Sequence, residues 1–401
     1  MAIKSGDIIH DIRGVVIDRL QTAGGSIDVP SEKIDELGNR ESVAVVRGIA
    51  DLQFKMNSFD MSTEVEALIT GVDSTAVTAG QRFDFRDAKE LGVASPFKNT
   101  GTFTAEYGSI LPWLTLESAS YTLGLSDSAT QEFNWRGDSI FYTPGAPTYE
   151  EYPVVGAGPY AFTDAPAIKF VQAGADVYAL SVVLVNTTSG AQRRCKFGSD
   201  YTNTASGITF TANPSPAWDV VQVMYGSTVP ATYPQSVHQG VGVKPADVRG
   251  RDIDIYVGNP GGTVFKRWTS VQSFNSDWSV SLESDEEFGN TERVSYGYSD
   301  TPEVSGSVGV KPNTAGELWS KLEEVSGVAP GNVIGASAST TLPIRAQLRK
   351  PDTAVVMKTI EIPKARFKIP AFEPSVNSKL EVSFDFESDD GVMYTYNGSP
   401  A

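Results

Sequence analysis

The chain has 401 residues, 32 basic and 49 acidic side chains for a formal charge of −17, 40% hydrophobic residues and one cysteine. That apolar content suffices for packed cores and excludes a disordered chain, while a lone Cys195 excludes a disulfide framework and a multi-thiolate zinc site. The acidic balance excludes a surface built to grip nucleic acid or anionic lipid, which needs clustered Lys and Arg.

The length predicts two or three domains at roughly 100–200 residues each. The start, Met1-Ala2-Ile3-Lys4, lacks the apolar stretch and small-residue cleavage site of a secretory signal. The longest near-apolar run, Val177 to Val185, is broken by Ser181 and too short to span a bilayer. A soluble product made in the cytoplasm is expected. Ser26-Ile27-Asp28-Val29 alternates as a half-buried strand does. An acidic loop with Glu32 and Glu36 follows, ending in Gly38-Asn39 before Glu41, and then a second extended run. Thr63-Glu64-Val65-Glu66 before Leu68 and Ile69 predicts a short helix. Leu114, Leu116, Ala119, Tyr121 and Leu123 read as a strand, with Phe133, Trp135 and Asp138 beyond it.

Pro144-Gly145-Ala146-Pro147 and the run Pro153 to Pro159 punctuate as a linker. Strand-like runs then occupy Ala167 to Val171, Val177 to Val185, Gly207 to Thr211 and Val220 to Tyr225, with no helix signal. This middle stretch carries only −2 of the charge, with −9 before Pro147 and −6 after Val237. After it, Trp278 to Leu282 alternates. An acidic loop of Glu283, Asp285, Glu286 and Glu287 leads to Gly289-Asn290 and Glu292. Thr314-Ala315-Gly316-Glu317 has the capping-box spacing, with Leu318, Leu322 and Val325 on one stripe. Alternating strands, Lys379 to Phe386 and Val392 to Tyr396, close the chain.

The two flanks repeat each other. Gly38, Asn39, Glu41 and Val43 match Gly289, Asn290, Glu292 and Val294 at a spacing of 251 residues, which also pairs Gln21 with Gln272, Glu32 with Glu283, Glu36 with Glu287, Thr63 with Thr314 and Glu66 with Glu317. Phe133, Trp135 and Asp138 match Phe384, Phe386 and Asp389 at the same spacing. The alternation from Leu114 to Leu123 matches Ile360, Ile362, Ala365, Phe367 and Ile369 at a spacing of 246. Order preserved through compensating gaps predicts a duplicated unit. The expected organisation is residues 1–146 and 238–401 as two copies around a small all-β insert, 147–237. Each copy is a β-sandwich or barrel carrying one short helix.

Catalytic constellations are absent from the pattern: no phosphate loop and no nucleophile elbow. Gly156-Ala157-Gly158 is a fragment of a dinucleotide fingerprint that Pro159 contradicts. The run Asp385 to Gly391 resembles the start of a calcium loop, but Asp390 stands at the required glycine and Tyr396 at the closing glutamate. Asp285-Glu286-Glu287 reads as an exposed acidic loop rather than an acid pair across a cleft. His10 and His238 have no visible partners. Arg193-Arg194 could lower the pKa of Cys195, yet no base accompanies it, and Arg193, Arg194 and Lys196 read as a solvated strand edge. No enzyme activity, cofactor or metal is expected.

The repeated unit resembles the major tail tube proteins of long-tailed (siphovirus-like) bacteriophages. The likeness rests on Val271-Gln272-Ser273, the run Trp278 to Asn290, Pro302 to Val308, and the closing Leu380 to Phe386 with Asn397-Gly398. It covers about three quarters of the chain, through patterns rather than invariant residues. In that family tube domains pair sheet edges into six-domain rings that stack into a hollow tail. Two domains per chain then imply a homotrimeric, pseudo-hexameric ring, with tape measure, tail terminator and tail tip proteins as partners and viral DNA in non-adhesive transit. Glu32, Glu36, Glu283, Asp285, Glu286 and Glu287 are candidates for an acidic lumen or loop, and the Gly-Asn turns for structural or inter-subunit contacts. Gly71 to Gly108 and Gly327 to Val355 are candidate contacts to neighbouring rings. Asp200-Tyr201-Thr202, Gly207 to Thr211 and Val220 to Tyr225 look like a small β module common in phage tails, expected on the outer surface. Two other readings stand beside this one. A carbohydrate- or cell-wall-binding β-sandwich predicts aromatics converging on one face, and a hydrolase predicts Asp285, Glu287 and Asp389 gathered in a cleft.

Overall fold

The structure, a computed structural model, describes residues 8–17, 19–34, 44–47, 50–73, 76–98, 104–172, 174–232, 248–285, 295–335, 337–371 and 379–400. Glu36, Gly38, Asn39, Glu41, Glu286, Glu287, Gly289, Asn290, Glu292 and His238 lie outside the described residues, as do the side chains of Glu32 and Asp285. The chain is mainly β, with sandwich-like sheets, two α-helices and no closed barrel among the described residues. Among them no helix is long and apolar enough to cross a membrane.

The N-terminal flank is one antiparallel chain of pairings. Leu20–Asp28 pairs with Asp51–Ser58, which pairs with Thr130–Gly137, which pairs with the long strand Thr104–Gly124. That long strand also takes Leu91–Lys98, which carries Asp11–Ile12, and Phe141–Thr143. The C-terminal flank repeats the plan pairing for pairing. Val271–Ser279, Glu303–Val310, Val382–Ser388 and Val356–Phe367 follow one another. Val356–Phe367 also takes Thr341–Arg349, which carries Ile253–Gly258, and Tyr394–Asn397. The irregularities repeat as well. Register shifts at Leu20/Thr22, Leu91/Val93 and Phe97/Lys98 recur at Val271/Ser273, Leu342/Ile344 and Leu348/Arg349, each 251 residues on.

These shifts correct one part of the sequence alignment. Leu91 pairs with Leu114 and Leu342 with Ala365, so Leu114 answers Ala365 rather than Ile360. The long strand holds two three-residue steps, Leu111 to Leu114 and Leu116 to Ala119, each set by a bulge. Ile362 to Ala365 belongs with the first. Alternation alone matched it to the second, because a bulge looks the same in sequence wherever it falls.

Period-two burial makes the core. Asp51–Ser58 buries Leu52, Phe54 and Met56, and Thr130–Gly137 buries Phe133 and Trp135. In the second unit Phe274, Trp278, Phe384 and Phe386 fill the same layer, and the buried apolar residues of both units form a single cluster. Helix α1, Glu64–Thr70, and helix α2, Ala315–Ser326, lie at matched points and end on Gly71 and Gly327 in left-handed conformation, φ 78° and 67°. Thr314 caps α2 by accepting from the Glu317 N–H at 3.1 Å, while Thr63 makes no capping bond. Gly391 (φ 63°), in the turn between Val382–Ser388 and Tyr394–Asn397, lies so close to Pro302 that a Cβ there would stand 1.8 Å from its carbonyl oxygen.

The insert has its own apolar cluster, around Tyr160, Val182, Ile208, Val221 and Tyr225. Its main sheet runs Ala146–Pro153, Val220–Ser227, Ala179–Val185, Gln192–Arg194. The expected linker is therefore partly a strand. Pro147 and Pro153 are tolerated because that strand is at the sheet edge, hydrogen-bonded on one side. The segments expected as irregular contacts to neighbouring rings are also largely regular, since Leu91–Lys98 and Thr341–Arg349 are core strands.

Matched positions with unequal burial give a test. Trp278 is fully buried, whereas its counterpart Ile27 is 45% exposed. Trp278→Ala is expected to lower unfolding free energy by about 3–5 kcal/mol, and Ile27→Ala to stay within about 0.5 kcal/mol. Urea denaturation of the two variants reads the difference.

Candidate functional site

One ladder joins the two units. Val271–Ser279 lies antiparallel on the end of Thr104–Gly124, from Ser273 opposite Gly124 to Ser279 opposite Ser118. The Val280 N–H donates to the Glu117 carbonyl at 3.0 Å and the Leu125 N–H to the Gln272 carbonyl at 2.8 Å, fastening both ends. The result is a continuous antiparallel run of eight strands, from the edge strand Leu20–Asp28 to Val356–Phe367, whose other side pairs with Thr341–Arg349.

One face of this sheet is the core and the other is polar. Across the strands the polar face presents, in one row, Asn57, Glu132, Ser120, Asp277, Ser305, Glu387 and Arg366. The adjoining row holds Thr130, Thr122, Asn275, Ser307 and Asp385. Short hydroxyl and amide side chains thus separate the acids. Basic groups on this face are tied to acids: Lys55 to Glu132 at 2.5 Å, Arg136 to Asp51 at 3.2 Å, and Lys368 to Glu387. Partial loss of water, and then the Glu132 carboxylate, raises the Asp277 pKa.

Behind the ladder the units meet at a buried ion pair. Lys358 and Glu66, both fully buried, are in direct contact. The Lys358 ammonium also donates to Gln131 Oε1 at 2.7 Å, and the Tyr121 hydroxyl donates to Glu66 Oε1 at 2.6 Å. Burial pulls the Lys358 pKa down against the raising effect of Glu66. Burial, and then Glu66, pushes the Tyr121 hydroxyl well above its usual range. Beside this pair the short strand Arg82–Asp84, from the loop after α1, adds to Tyr394–Asn397 of the other unit.

The outer edges are not equivalent to the inner ones. Leu20–Asp28 pairs on one side only among the described residues, and Ile27 and Val29 stand 45% and 44% exposed there. Their counterparts across the repeat, Trp278 and Val280, are 0% and 5% exposed.

Of the acids singled out in sequence, Glu283 is exposed on the hairpin Leu282–Asp285 with Ser295–Tyr298, away from the eight-strand sheet, and Glu32 and Asp285 sit on equivalent hairpin strands. The acids on the polar face, Glu132, Asp277, Asp385 and Glu387, are other residues. Arg194 is no solvated edge. It forks onto Glu90 at 2.7 and 3.0 Å, reaches Asp138 at 3.5 Å and lies 4.9 Å from the Trp113 ring, fixing the insert to the first unit. Cys195 is buried, and burial pushes its thiol up to about 12, opposite to the lowering considered from Arg193-Arg194. His10 is buried, with Nδ1 2.9 Å from Ser95 Oγ. Asp389 is held by Arg366 at 2.8 and 2.9 Å. No cluster of His, Cys, Asp or Glu suited to a metal occurs among the described residues. Lys358 gave no signal in sequence because residues around it are buried on both faces, which erases alternation. Comparison with models of known protein families gives no match, and comparison with characterised proteins gives none.

Removing one member of the ion pair leaves the other charge buried alone. Lys358→Met is expected to cost about 3–5 kcal/mol, with Glu66→Leu similar and the double variant well short of their sum. Chemical denaturation of the three variants measures the coupling; additive losses would show that the pair does not act as a unit.

Proposed function

We propose that this chain is a structural virion protein that polymerises as stacked trimeric, pseudo-hexameric rings into the hollow tail tube of a long-tailed bacteriophage. The carrying observation is the contrast between matched edges: Val271–Ser279 is buried under a strand of the preceding unit, whereas Leu20–Asp28 leaves Ile27 and Val29 open. A strand with one unpaired edge and exposed apolar side chains is a standing invitation to another chain. A second copy could satisfy it by repeating the junction already made inside the chain. Such a contact is head-to-tail, and head-to-tail contacts give rings where the rotation closes.

The polar face of the sheet would then line the bore. Rows of Ser, Thr and Asn with interspersed acids, and basic groups engaged by acids, offer DNA phosphates little to hold. No catalytic step is needed, and the tape measure, terminator and tip proteins are partners by the family resemblance alone. The insert, fixed to the first unit through Arg194, would stand outside the tube.

Purified protein is expected to form rings or hollow polymers in negative stain and to sediment as assemblies. Ile27→Lys with Val29→Lys should leave the circular dichroism unchanged and shift the population to monomer. Wild-type protein that stays monomeric at high concentration would remove this reading. In intact virions, Asp277→Lys is expected to slow DNA release with tail length unchanged, because a cation in the bore row grips phosphate. Unaltered ejection kinetics would separate bore charge from function.

A further inference from the structure

The two helices occupy the same place in the repeat but live in different surroundings. In α1, Val65, Ala67, Leu68 and Ile69 are at most 4% exposed, and the second unit covers the start of the helix. That cover consists of Lys358 on Glu66, the Lys358 ammonium on the Ser62 carbonyl, and Asn397 accepting from the Thr63 hydroxyl at 3.4 Å. Helix α2 buries Leu322 and Val325, yet Trp319, at the position of Leu68, is 45% exposed. The loop after α1 supplies the strand Arg82–Asp84 to the other unit. Counted back from the next strand, its counterpart after α2 is Val333–Gly335, which pairs with nothing among the described residues and leaves Val333 93% exposed.

The receiving side shows the same imbalance. Lys358 corresponds to Tyr107, and Tyr394–Tyr396 to Phe141–Thr143, because Tyr394 pairs with Glu361 and Phe141 with Ile110. Lys358 and Thr395 are 0% exposed, while Tyr107 and Tyr142 are 57% and 73% exposed. Phe170 of the insert braces the adjoining Phe141, ring centroids 5.8 Å apart.

We propose that the open side of α2, centred on Trp319 with Val333 beside it, docks on the Tyr107 and Tyr142 face of a second copy of this chain, the Val333 loop pairing with Phe141–Thr143 as Arg82–Asp84 pairs with Tyr394–Tyr396. The inference rests on the ring reading above and adds to it a contact separate from the Leu20–Asp28 edge. The occupant is a second copy because both halves of the contact already exist, mated, inside one chain, and one half of each is left over. The chemistry differs in one respect. Glu317, the counterpart of Glu66, is engaged by Thr269, Asn313 and Lys321, which hold its carboxyl down to about 2, and it faces a tyrosine position instead of a lysine. The contact between chains is therefore aromatic and apolar where the one within the chain is ionic.

Trp319→Glu and Tyr107→Glu, with Tyr142→Glu as a second variant of the receiving face, test the pairing by sedimentation velocity over a concentration series. All three positions are exposed, so unchanged thermal melts are expected. Each variant alone should need at least tenfold more protein to assemble than wild type. An equimolar mixture of Trp319→Glu and Tyr107→Glu should form dimers and stop, because the pair retains one intact junction. Variants that assemble like wild-type rings would overturn this contact and leave the ring reading standing. Tyr107→Glu dimerising by itself would show α2 meeting α2 and overturn the head-to-tail pairing. A wild-type chain that never assembles would end both.

Discussion

A strand edge has to be paired, covered or guarded, and here that constraint organises the whole chain. Thr104–Gly124 is long enough to take different partners along its length. It carries Leu91–Lys98 and then Val271–Ser279 on one side, and Phe141–Thr143 and then Thr130–Gly137 on the other. Its far end would be an open edge in an isolated unit. The second unit closes it, and the closing strand brings Trp278 under the joint core. Two units with one plan become one sheet because the same strand that completes the second domain satisfies the first.

The buried ion pair fits this arrangement. A charge pair in a dry site is seldom more stable than an apolar pair of the same shape, but it tolerates no misplacement. Glu66, Lys358, Gln131 and Tyr121 meet only when α1, the long strand of the second unit and the strand Thr130–Gly137 are in register. Within a single chain that desolvation is met once, during folding. At a contact that forms between molecules the same charges would have to shed water at each encounter. In the contact proposed between copies, Tyr107 would stand in the place of Lys358 beside the exposed Trp319 and avoid this, since aromatic side chains bring large apolar area with little order to impose.

Much of this was legible in the residues. The 251-residue spacing located both helices and the Phe-x-Trp and Phe-x-Phe strands, because turns, caps and alternation are local signals, whereas the stretches read as acidic loops begin as the hairpin strands Ser31–Ile34 and Leu282–Asp285. Register along the long strand was not legible, as its two bulges carry the same three-residue step and only the partner strand tells them apart. The linker read from Pro147 and Pro153 became an edge strand because proline marks an absent hydrogen bond, which an edge provides as readily as a loop. Arg194 looked solvated since its partners are distant in sequence; Glu90 and Asp138 reach it from another unit. The acids of the polar face were hidden among the serines of ordinary alternating strands, while the conspicuous acidic loop stands apart from that face.

Duplication within one chain changes what an open edge can specify. Two identical domains would offer identical edges, and a ring of them could stop, or slip, at any junction. Here the inner junction is fixed covalently and carries the ionic contact, so the outer surfaces are relieved of its constraints and differ from it side chain by side chain: Ile27 for Trp278, Trp319 for Leu68, Tyr107 for Lys358. An outer surface of one unit then cannot substitute for the inner surface of the other without burying Glu66 against an aromatic ring or Lys358 against Glu317, whose carboxylate is already engaged by Thr269, Asn313 and Lys321, which costs several kcal/mol. In the proposed ring, that asymmetry would favour whole chains adding in one orientation. It would select against the shuffled pairings that a repeat of two equal domains permits, and would do so with residues whose exposure in the single chain looks, taken one at a time, like ordinary surface.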